Sequence, residues 1–163
     1  MIKTINLLAE IAIKYFSEKN FKLFKHAKLI FYNIDSLADK KEEIITEGEM
    51  DALSLIEAGL DADYGIVSVP NGASVNNNNL TYVDNCIAKF DHIERIHIGT
   101  DNDVAGRKLR EELSERFGRD RCDYIEWKDK KDANDVLVNY GIEGVWECAN
   151  DRKNFRIEGT STI

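Results

Sequence analysis

The sequence predicts an α/β domain with a mainly parallel central sheet flanked by helices, plus an N-terminal helical extension. Short apolar runs alternate with segments whose apolar residues recur at helical spacing. The connections between them are short, which is typical of parallel strands joined by right-handed crossovers. Runs such as Ile44-Ile45 and Ile66-Val67 are apolar at successive positions, as expected of strands that are buried on both faces.

The N-terminal part, residues 1–41, is predicted to be helical and rich in lysine. Apolar residues recur at helical spacing from Met1 to Phe16, and a short strand is predicted at Leu29–Ile34. Between them, lysines alternate with phenylalanines, a pattern that can bind a phosphate backbone and stack a base. The same pattern also fits an amphipathic helix with its phenylalanines in the core. The candidate nucleic-acid ligands in this stretch are Lys22, Lys25 and Lys28.

From residue 42 the chain alternates strand and helix. Four strands are predicted at Ile44–Thr46, Gly65–Val69, Arg95–Gly99 and Cys122–Trp127. Five helices are predicted at Asp51–Ala58, Leu80–Phe90, Ala105–Phe117, Asp132–Tyr140 and Ile142–Ala149. Gly118 is placed to end one helix and Asp132 to cap another. The polar segment 71–79 is predicted to be a loop, and residues 151–163, which lack periodicity, a flexible tail.

Composition limits the classes of protein to consider. The chain has 163 residues, of which 43% are hydrophobic and 32% charged, so it can form one domain with a substantial core. A net charge of −8 argues against a broad surface that coats nucleic acid. The three cysteines have no zinc-ligand spacing, and no signal peptide or membrane-length apolar run is present. These features predict reduced thiols, a cytoplasmic location and no membrane partner.

Acidic residues follow two of the predicted strands. Glu47 and Asp51 lie where the first strand turns into a helix, and Asp101 and Asp103 follow the strand that ends at Gly99. In an open α/β sheet, ligands bind outside the carboxyl ends of the strands. Mg²⁺ prefers a few carboxylates together with substrate phosphates, so these side chains are candidate ligands. A second ion between such carboxylates would stabilise both the attacking and the leaving oxygen of a phosphoryl transfer.

Three segments resemble the motifs of the Toprim domain. They are Glu47-Gly48-Glu49-Met50-Asp51, Asp101-Asn102-Asp103-Val104-Ala105-Gly106-Arg107 and Lys131-Asp132-Ala133-Asn134-Asp135. The variant is similar to that of phage primase-helicases, the mitochondrial helicase Twinkle and, more distantly, DnaG primases. Ser68–Ser74 resembles a loop of the same subgroup. The resemblance extends over about residues 32–150, which places a Toprim domain at 42–150.

The resemblance implies RNA-primer synthesis on single-stranded DNA from ribonucleoside triphosphates, with Mg²⁺ (or Mn²⁺) as cofactor. It implies that Glu47 is a general base or metal ligand and that Asp101 and Asp103 bind metal. Asp51 and Asp132 match further acidic positions that supplement the metal cluster. The positions expected to meet a nucleotide or strand phosphate are Lys131 and Arg107.

Each of these residues also has a purely structural interpretation. Glu47 and Asp51 would favour a helix N-terminus through its dipole, by about 0.3–1 kcal/mol each. Asp101 and Asp103 would serve as turn and cap residues, and capping alone would explain Asp132. Arg107 would be an ordinary solvated helix residue. For Glu47, Asp51, Asp101 and Asp103 the three motifs together favour the metal site over the structural interpretation. For Asp132 and Arg107 both interpretations stay open.

Two functions other than primer synthesis are also consistent with these residues. A metal-dependent nuclease would use the same acidic cluster, because making and cutting a phosphodiester bond need the same ions. A non-catalytic interaction module would keep the fold without needing the whole cluster. The sequence contains no zinc-binding module, no helicase and little of the basic subdomain of primases. We therefore expect a part of a larger primase, or a small protein that works with a replicative helicase or template-binding module.

Overall fold

The computed structural model describes residues 28–70, 72 and 79–155, in which five strands form one sheet with the order β2-β1-β3-β4-β5. The first four strands run parallel and β5 pairs antiparallel with β4, so the predicted mainly parallel α/β fold is confirmed. The strands are β1 (Glu42–Thr46), β2 (Gly65–Ser68), β3 (Arg95–Gly99), β4 (Cys122–Tyr124) and β5 (Lys153–Asn154).

Helices cover both faces of the sheet and divide the core into two layers. The helices are α1 (Glu49–Glu57), α2 (Thr81–Cys86), α3 (Val104–Phe117) and α4 (Ala133–Asn150). Ile45 and Ile98 pack on one face, with side chains from α2 and α3. Ile44 packs on the other face, with side chains from α1 and α4. Burial on both faces explains why the strands contain apolar residues at successive positions.

The register of the central strands brings the two acidic corners together. Thr46, the last residue of β1, lies beside Gly99, the last residue of β3. Because these strands are parallel neighbours, the segments that follow them leave the sheet at the same edge. Gly99 has no room for a side chain, since a Cβ there would lie 2.7 Å from the ring of Trp127.

The segment predicted as a strand at Leu29–Ile34 is different in the structure. Only Tyr32 pairs, in an antiparallel bridge with Ser68, and a 3₁₀ helix follows at Ile34–Leu37. Asn33 turns the chain between them, with a left-handed φ of 58° and its side-chain amide donating to the Ile66 carbonyl at 2.9 Å. Part of the predicted extension therefore packs in the domain core, with residues such as Leu37 fully enclosed.

Larger differences from the predictions affect three other elements. Strand β4 ends at Tyr124 rather than Trp127, because the chain leaves the sheet to bury the Trp127 indole. The two predicted C-terminal helices form one element, α4, interrupted at Gly141, whose φ is 69°. The helix predicted over Leu80–Phe90 is α-helical to Cys86 and then continues as a 3₁₀ helix at Ile87–Phe90.

Several predictions fall on residues outside those described. They are the first helix, the lysines at 22 and 25, most of the loop 71–79, and the tail beyond residue 155. The described part of the tail contains β5, and Phe155 after it is buried against the core. Within the described ranges, no helix has both the length and the apolar character needed to cross a membrane.

Candidate metal and nucleotide site

The candidate site is built where β1 and β3 end. Glu47 follows β1 directly, and Asp101 lies two residues beyond the end of β3. The backbone N–H of Asp101 donates to Glu47 Oε2 at 3.2 Å, so the two predicted ligands meet across the sheet edge. Thr46 below them is fully buried, and its hydroxyl donates to the Gly48 carbonyl at 3.1 Å. This contact fixes the turn that carries Glu47.

Asp51 enters the same site from the first turn of α1. Its side chain is 8% exposed, and its Oδ1 accepts the backbone N–H of Asn134 at 3.1 Å. The Asn134 side chain donates to the Ser54 hydroxyl at 2.9 Å, so one residue ties α1 to the start of α4. Gly48 leaves room for this carboxylate, because a Cβ there would lie 3.2 Å from Asp51 Oδ2.

Asp101 contacts the third predicted motif. The Lys131 ammonium lies 2.7 Å from Asp101 Oδ2, and the backbone N–H of Asn102 donates to the Lys131 carbonyl at 2.7 Å. Asp101 is 7% exposed, whereas the lysine side chain is largely exposed. The lysine therefore reaches the carboxylate from the solvent side, where a phosphate group would also approach.

The turn into α3 requires a close backbone approach. A Cβ on Gly106 would lie 2.2 Å from the Asp101 carbonyl oxygen, so only glycine fits there. The Asp103 side chain caps the helix, accepting the Gly106 N–H at 2.8 Å through Oδ1. Asp132 caps α4 in the same way, accepting the Asp135 N–H at 2.8 Å. Capping thus accounts for one oxygen of each of these carboxylates, as the structural interpretation expected.

The charges of this site repel one another. Burial, followed by the charge of nearby Asp132, raises the pKa of the Asp51 carboxyl to about 7. Asp101 and Glu47 act on Asp51 in the same direction. Burial also raises the pKa of Asp101, although the hydrogen bond and charge of Lys131 oppose the rise. A site with raised carboxyl pKa values gains from a bound cation, because the cation neutralises this repulsion.

The donor set fits Mg²⁺ in chemistry. Carboxylate oxygens from two strand ends are hard ligands of the kind that Mg²⁺ takes. Within residues 28–70, 72 and 79–155, however, no three acidic, histidine or cysteine side chains converge on one point. Such an arrangement suits an ion held by one or two carboxylates, with substrate phosphates and water as its other ligands.

The predicted basic residues are spread more widely. Arg107 lies on the exposed side of α3, and its guanidinium donates to the Asn102 carbonyl at 2.5 Å. Lys28 is exposed beside Leu29, whose carbonyl accepts from Asn85 on α2 at 2.8 Å. Among the described contacts, none joins Lys28 to the carboxylates of the site.

Two asparagines for which the sequence predicts no role hold the site together. Asn134 positions Asp51, and Asn102 holds the loop after β4 through a 2.7 Å hydrogen bond to the Lys130 carbonyl. Both lie inside the quoted motifs, next to the acidic residues. Their position within the motifs could have indicated this role, since an amide between charged residues can orient backbone groups without adding charge.

Comparison with known proteins agrees with this geometry. A family model described as Toprim-like matches residues 44–137. A "Primase homolog protein" of Arabidopsis thaliana is 36% identical over 149 residues, which cover 80% of this chain and 43% of that protein. A "DNA helicase/primase" of Enterobacteria phage T3 is 32% identical over 138 residues, covering 80% of this chain and 23% of the phage protein. The chain thus spans less than half the length of either relative.

Solved structures show the same fold. The primase fragment of the bacteriophage T7 primase-helicase superposes with a TM-score of 0.57 at 30% identity, over 68% of this chain and 44% of that one. The RNA polymerase domain of Mycobacterium tuberculosis primase DnaG superposes with a TM-score of 0.54 at 14% identity, over 75% and 39%. The second likeness concerns the fold alone. The family match covers more than half of the sequence and includes both strand ends that carry the acidic site, and on this basis the chain belongs to the Toprim-like family.

Proposed function

We propose that this domain catalyses metal-dependent nucleotidyl transfer, joining ribonucleotides into a primer on a single-stranded DNA template. The observation that carries the proposal is the 3.2 Å contact between Glu47 Oε2 and the Asp101 N–H, which unites the two acidic strand ends. Relatives named as a primase homolog and a helicase/primase support the same reaction class. The proposed cofactor is Mg²⁺ or Mn²⁺.

Each residue has a proposed part in this reaction. One or two of the carboxylates of Asp101, Asp103 and Glu47 would hold each metal ion together with substrate phosphates, and the bound metal would neutralise charge on the transferring phosphate. Glu47 would also accept the proton of the 3′-hydroxyl, which attacks the α-phosphate of the incoming ribonucleoside triphosphate with pyrophosphate as the leaving group. Asp51 and Asp132 add negative charge behind these ligands. Lys131, which lies 2.7 Å from Asp101, would release that carboxylate and pair with a substrate phosphate instead.

A single gel tests the proposal. The protein is incubated with end-labelled single-stranded DNA of mixed sequence, labelled ribonucleotides and Mg²⁺ or Mn²⁺. We expect new short oligoribonucleotides from the wild type, and at least about 100-fold less product from Glu47→Gln and Asp101→Asn. A matched control is Asp39→Asn, which removes an exposed carboxylate that precedes β1, whereas Glu47 follows the opposite end of that strand, and this variant should leave synthesis unchanged.

Two results would contradict the proposal. Shortened DNA without synthesis, lost in the same two variants, would assign a nuclease reaction to the same site. If neither product forms, the reaction is repeated with a zinc-binding primase module and a replicative helicase added. Continued absence of product would then leave a binding module as the function of this chain.

A further inference from the structure

An open groove lies beside the acidic site, on the side of Asp103. Its volume is about 480 Å³, and it is formed by the turn into α3 and by the loop after β4. Four cationic side chains line it and outnumber its acidic ones, although the whole chain has a net charge of −8. These four are Arg107, Lys128, Lys130 and Lys131.

The loop that carries the three lysines of this groove is held in place by hydrogen bonds. The Asn102 side-chain amide donates to the carbonyls of Lys130 at 2.7 Å and Lys128 at 3.4 Å. The Trp127 indole, fully buried, donates to the Thr100 carbonyl at 3.1 Å. Lys128 has a left-handed φ of 52°, a conformation that few residues other than glycine adopt. The loop therefore keeps a conformation that would otherwise be disfavoured, and it presents its lysines at a fixed place.

An aromatic side chain lies next to two of the lysines. The Tyr140 ring is 41% exposed, with the ammonium groups of Lys128 and Lys130 at 5.1 and 5.3 Å from its centroid. Lysines beside an exposed aromatic ring form the combination that binds single-stranded nucleic acid, because the cations meet phosphates and the ring stacks a base. Neither lysine nor the tyrosine belongs to the motifs on which the proposed function depends.

The acidic partners of these lysines do not prevent such binding. Lys128 pairs with Glu147, and Lys130 lies 3.2 Å from Asp129, which also accepts the Tyr140 hydroxyl at 2.6 Å. Both ion pairs are on the surface, where such pairs contribute about 0–1 kcal/mol. A strand that brings several phosphates together can therefore displace them, with release of counterions as a further driving force.

We propose that this groove binds the phosphate backbone of a single nucleic-acid strand, with Lys128 and Lys130 on its phosphates and Tyr140 stacked on a base. The strand would run from the groove past Asp103 to the metal ligands, as a template or a growing product must. The inference rests on the proposed function for the identity of the strand. It does not require metal chemistry, because backbone binding by lysines needs no Mg²⁺.

The test is fluorescence anisotropy of a labelled single-stranded oligonucleotide, titrated with protein in EDTA at several salt concentrations. We expect Lys128→Gln/Lys130→Gln to bind at least about tenfold more weakly than the wild type. The slope of log affinity against log salt should fall by about 1.4, the value for two lost phosphate contacts on a single strand. Tyr140→Leu should weaken binding at least about fivefold, whereas Tyr140→Phe should bind within about twofold of the wild type.

The matched control is Lys41→Gln/Lys89→Gln. It also removes two exposed lysines from ion pairs, with Glu94 at 3.2 Å and Asp35 at 2.8 Å, and neither lysine lines the groove. This control should bind within about twofold of the wild type. Equal weakening in both double variants, or no strand binding by the wild type, would overturn the inference.

A second arm separates a strand from a free nucleotide, since both carry phosphates. ATP with Mg²⁺ is titrated into the same proteins by calorimetry. Loss of ATP affinity in the groove variant, with strand affinity retained, would make the groove a triphosphate site and refute the strand assignment. Failure of primer synthesis in the gel would not affect the EDTA result, so the two proposals can fail separately.

Discussion

At the carboxyl edge of the sheet, carboxylates lie beside other carboxylates. In a second region, nearer the amino-terminal ends of the strands, two acids lie beside a histidine and two arginines. At the first edge, Asp51 is surrounded by the charges of Asp132, Asp101 and Glu47. In the second region, His97 is 2% exposed and lies between two acids, Asp123 at 2.6 Å and Glu42 at 2.8 Å.

Arginines complete the second cluster. Arg95 lies 3.2 Å from the Asp123 carboxylate, and Arg152 lies 3.6 Å from that of Glu42. Arg152 follows α4, so its contacts attach the end of the domain to the first strand. We infer that this cluster serves the fold, because its charges are balanced and its central residue is closed to solvent. The unbalanced cluster at the carboxyl edge is the one that a cation would stabilise.

The largest expected effect breaks the balanced cluster. His97→Leu removes the imidazole that hydrogen-bonds both acids, and it leaves the buried Asp123 carboxylate with Arg95 as its remaining charged partner. Losing a hydrogen bond to a charged group costs about 1.5–3 kcal/mol. We expect a loss of this size in the free energy of unfolding, measured by urea denaturation. The control is His92→Leu, at an exposed histidine, which should cost less than about 1 kcal/mol. Similar losses in both variants would mean that the cluster contributes little.

The two regions were not equally predictable from sequence. The carboxyl edge was predicted because Glu47, Asp101 and Lys131 lie within short motifs, and strand ends gather polar groups at one edge. The balanced cluster left no such signal. Glu42, His97 and Asp123 are far apart in the chain and are brought together by the strand register. Arg152 reaches them from the segment that follows α4.

The same reason explains what the sequence could not predict about the candidate site. The central strands and the helices at Asp51 and Ala105 followed from periodicity, and Asp132 was correctly predicted as a cap. The amide of Asn134 reaching Asp51, and the groove beside Asp103, depend on side-chain contacts over long sequence separations. Such contacts follow from tertiary packing, which local patterns do not specify.

One buried acid, Glu43, belongs to neither cluster and tests what an unpaired buried carboxylate costs. Glu43 on β1 is fully buried, and neither of its carboxylate oxygens has a hydrogen-bond partner. An unsatisfied buried polar group costs about 1–3 kcal/mol. We therefore expect Glu43→Met to raise the free energy of unfolding at pH 7 by about this amount, measured by urea denaturation.

The gain should depend on pH. Burial raises the pKa of the folded Glu43 carboxyl well above its ordinary value of 4.5, and the Arg121 charge only partly opposes this. The contribution of Glu43 to stability is therefore fully present below pH 4.5 and is lost as the pH rises through the folded pKa. The advantage of Glu43→Met should grow over that window. Glu43→Gln, which cannot titrate, should show a weaker pH dependence than the wild type, and the remainder should come from Asp51, whose pKa is raised to about 7. An unchanged pH dependence in Glu43→Gln would contradict the prediction.

A smaller effect is expected from relieving the repulsion at the carboxyl edge. Asp51→Asn keeps an oxygen for the Asn134 N–H but removes one of the crowded charges. At pH 8, where the native carboxylate is charged, we expect a gain in stability of about 0.5–2 kcal/mol together with reduced primer synthesis. Thermal unfolding and the gel assay measure the two effects. A loss of stability would show that the hydrogen-bonded carboxylate, and not repulsion, dominates at this position.

The smallest expected effect is the stabilisation of the protein by Mg²⁺. Stabilisation by a bound ion grows only with the logarithm of the ion's concentration. At five times the Kd, Mg²⁺ should stabilise the wild type by about 1 kcal/mol, or about 2–4 °C in Tm. Asp101→Asn/Asp103→Asn should show no such shift, although asparagine at the second position still caps α3 as well as aspartate does. The matched control is Asp61→Asn/Asp63→Asn, two exposed acids with the same spacing, which should respond to Mg²⁺ as the wild type does. Equal shifts in all three proteins would mean that Mg²⁺ binds elsewhere. A bound cation would then no longer explain why acids are crowded at the carboxyl edge of the sheet.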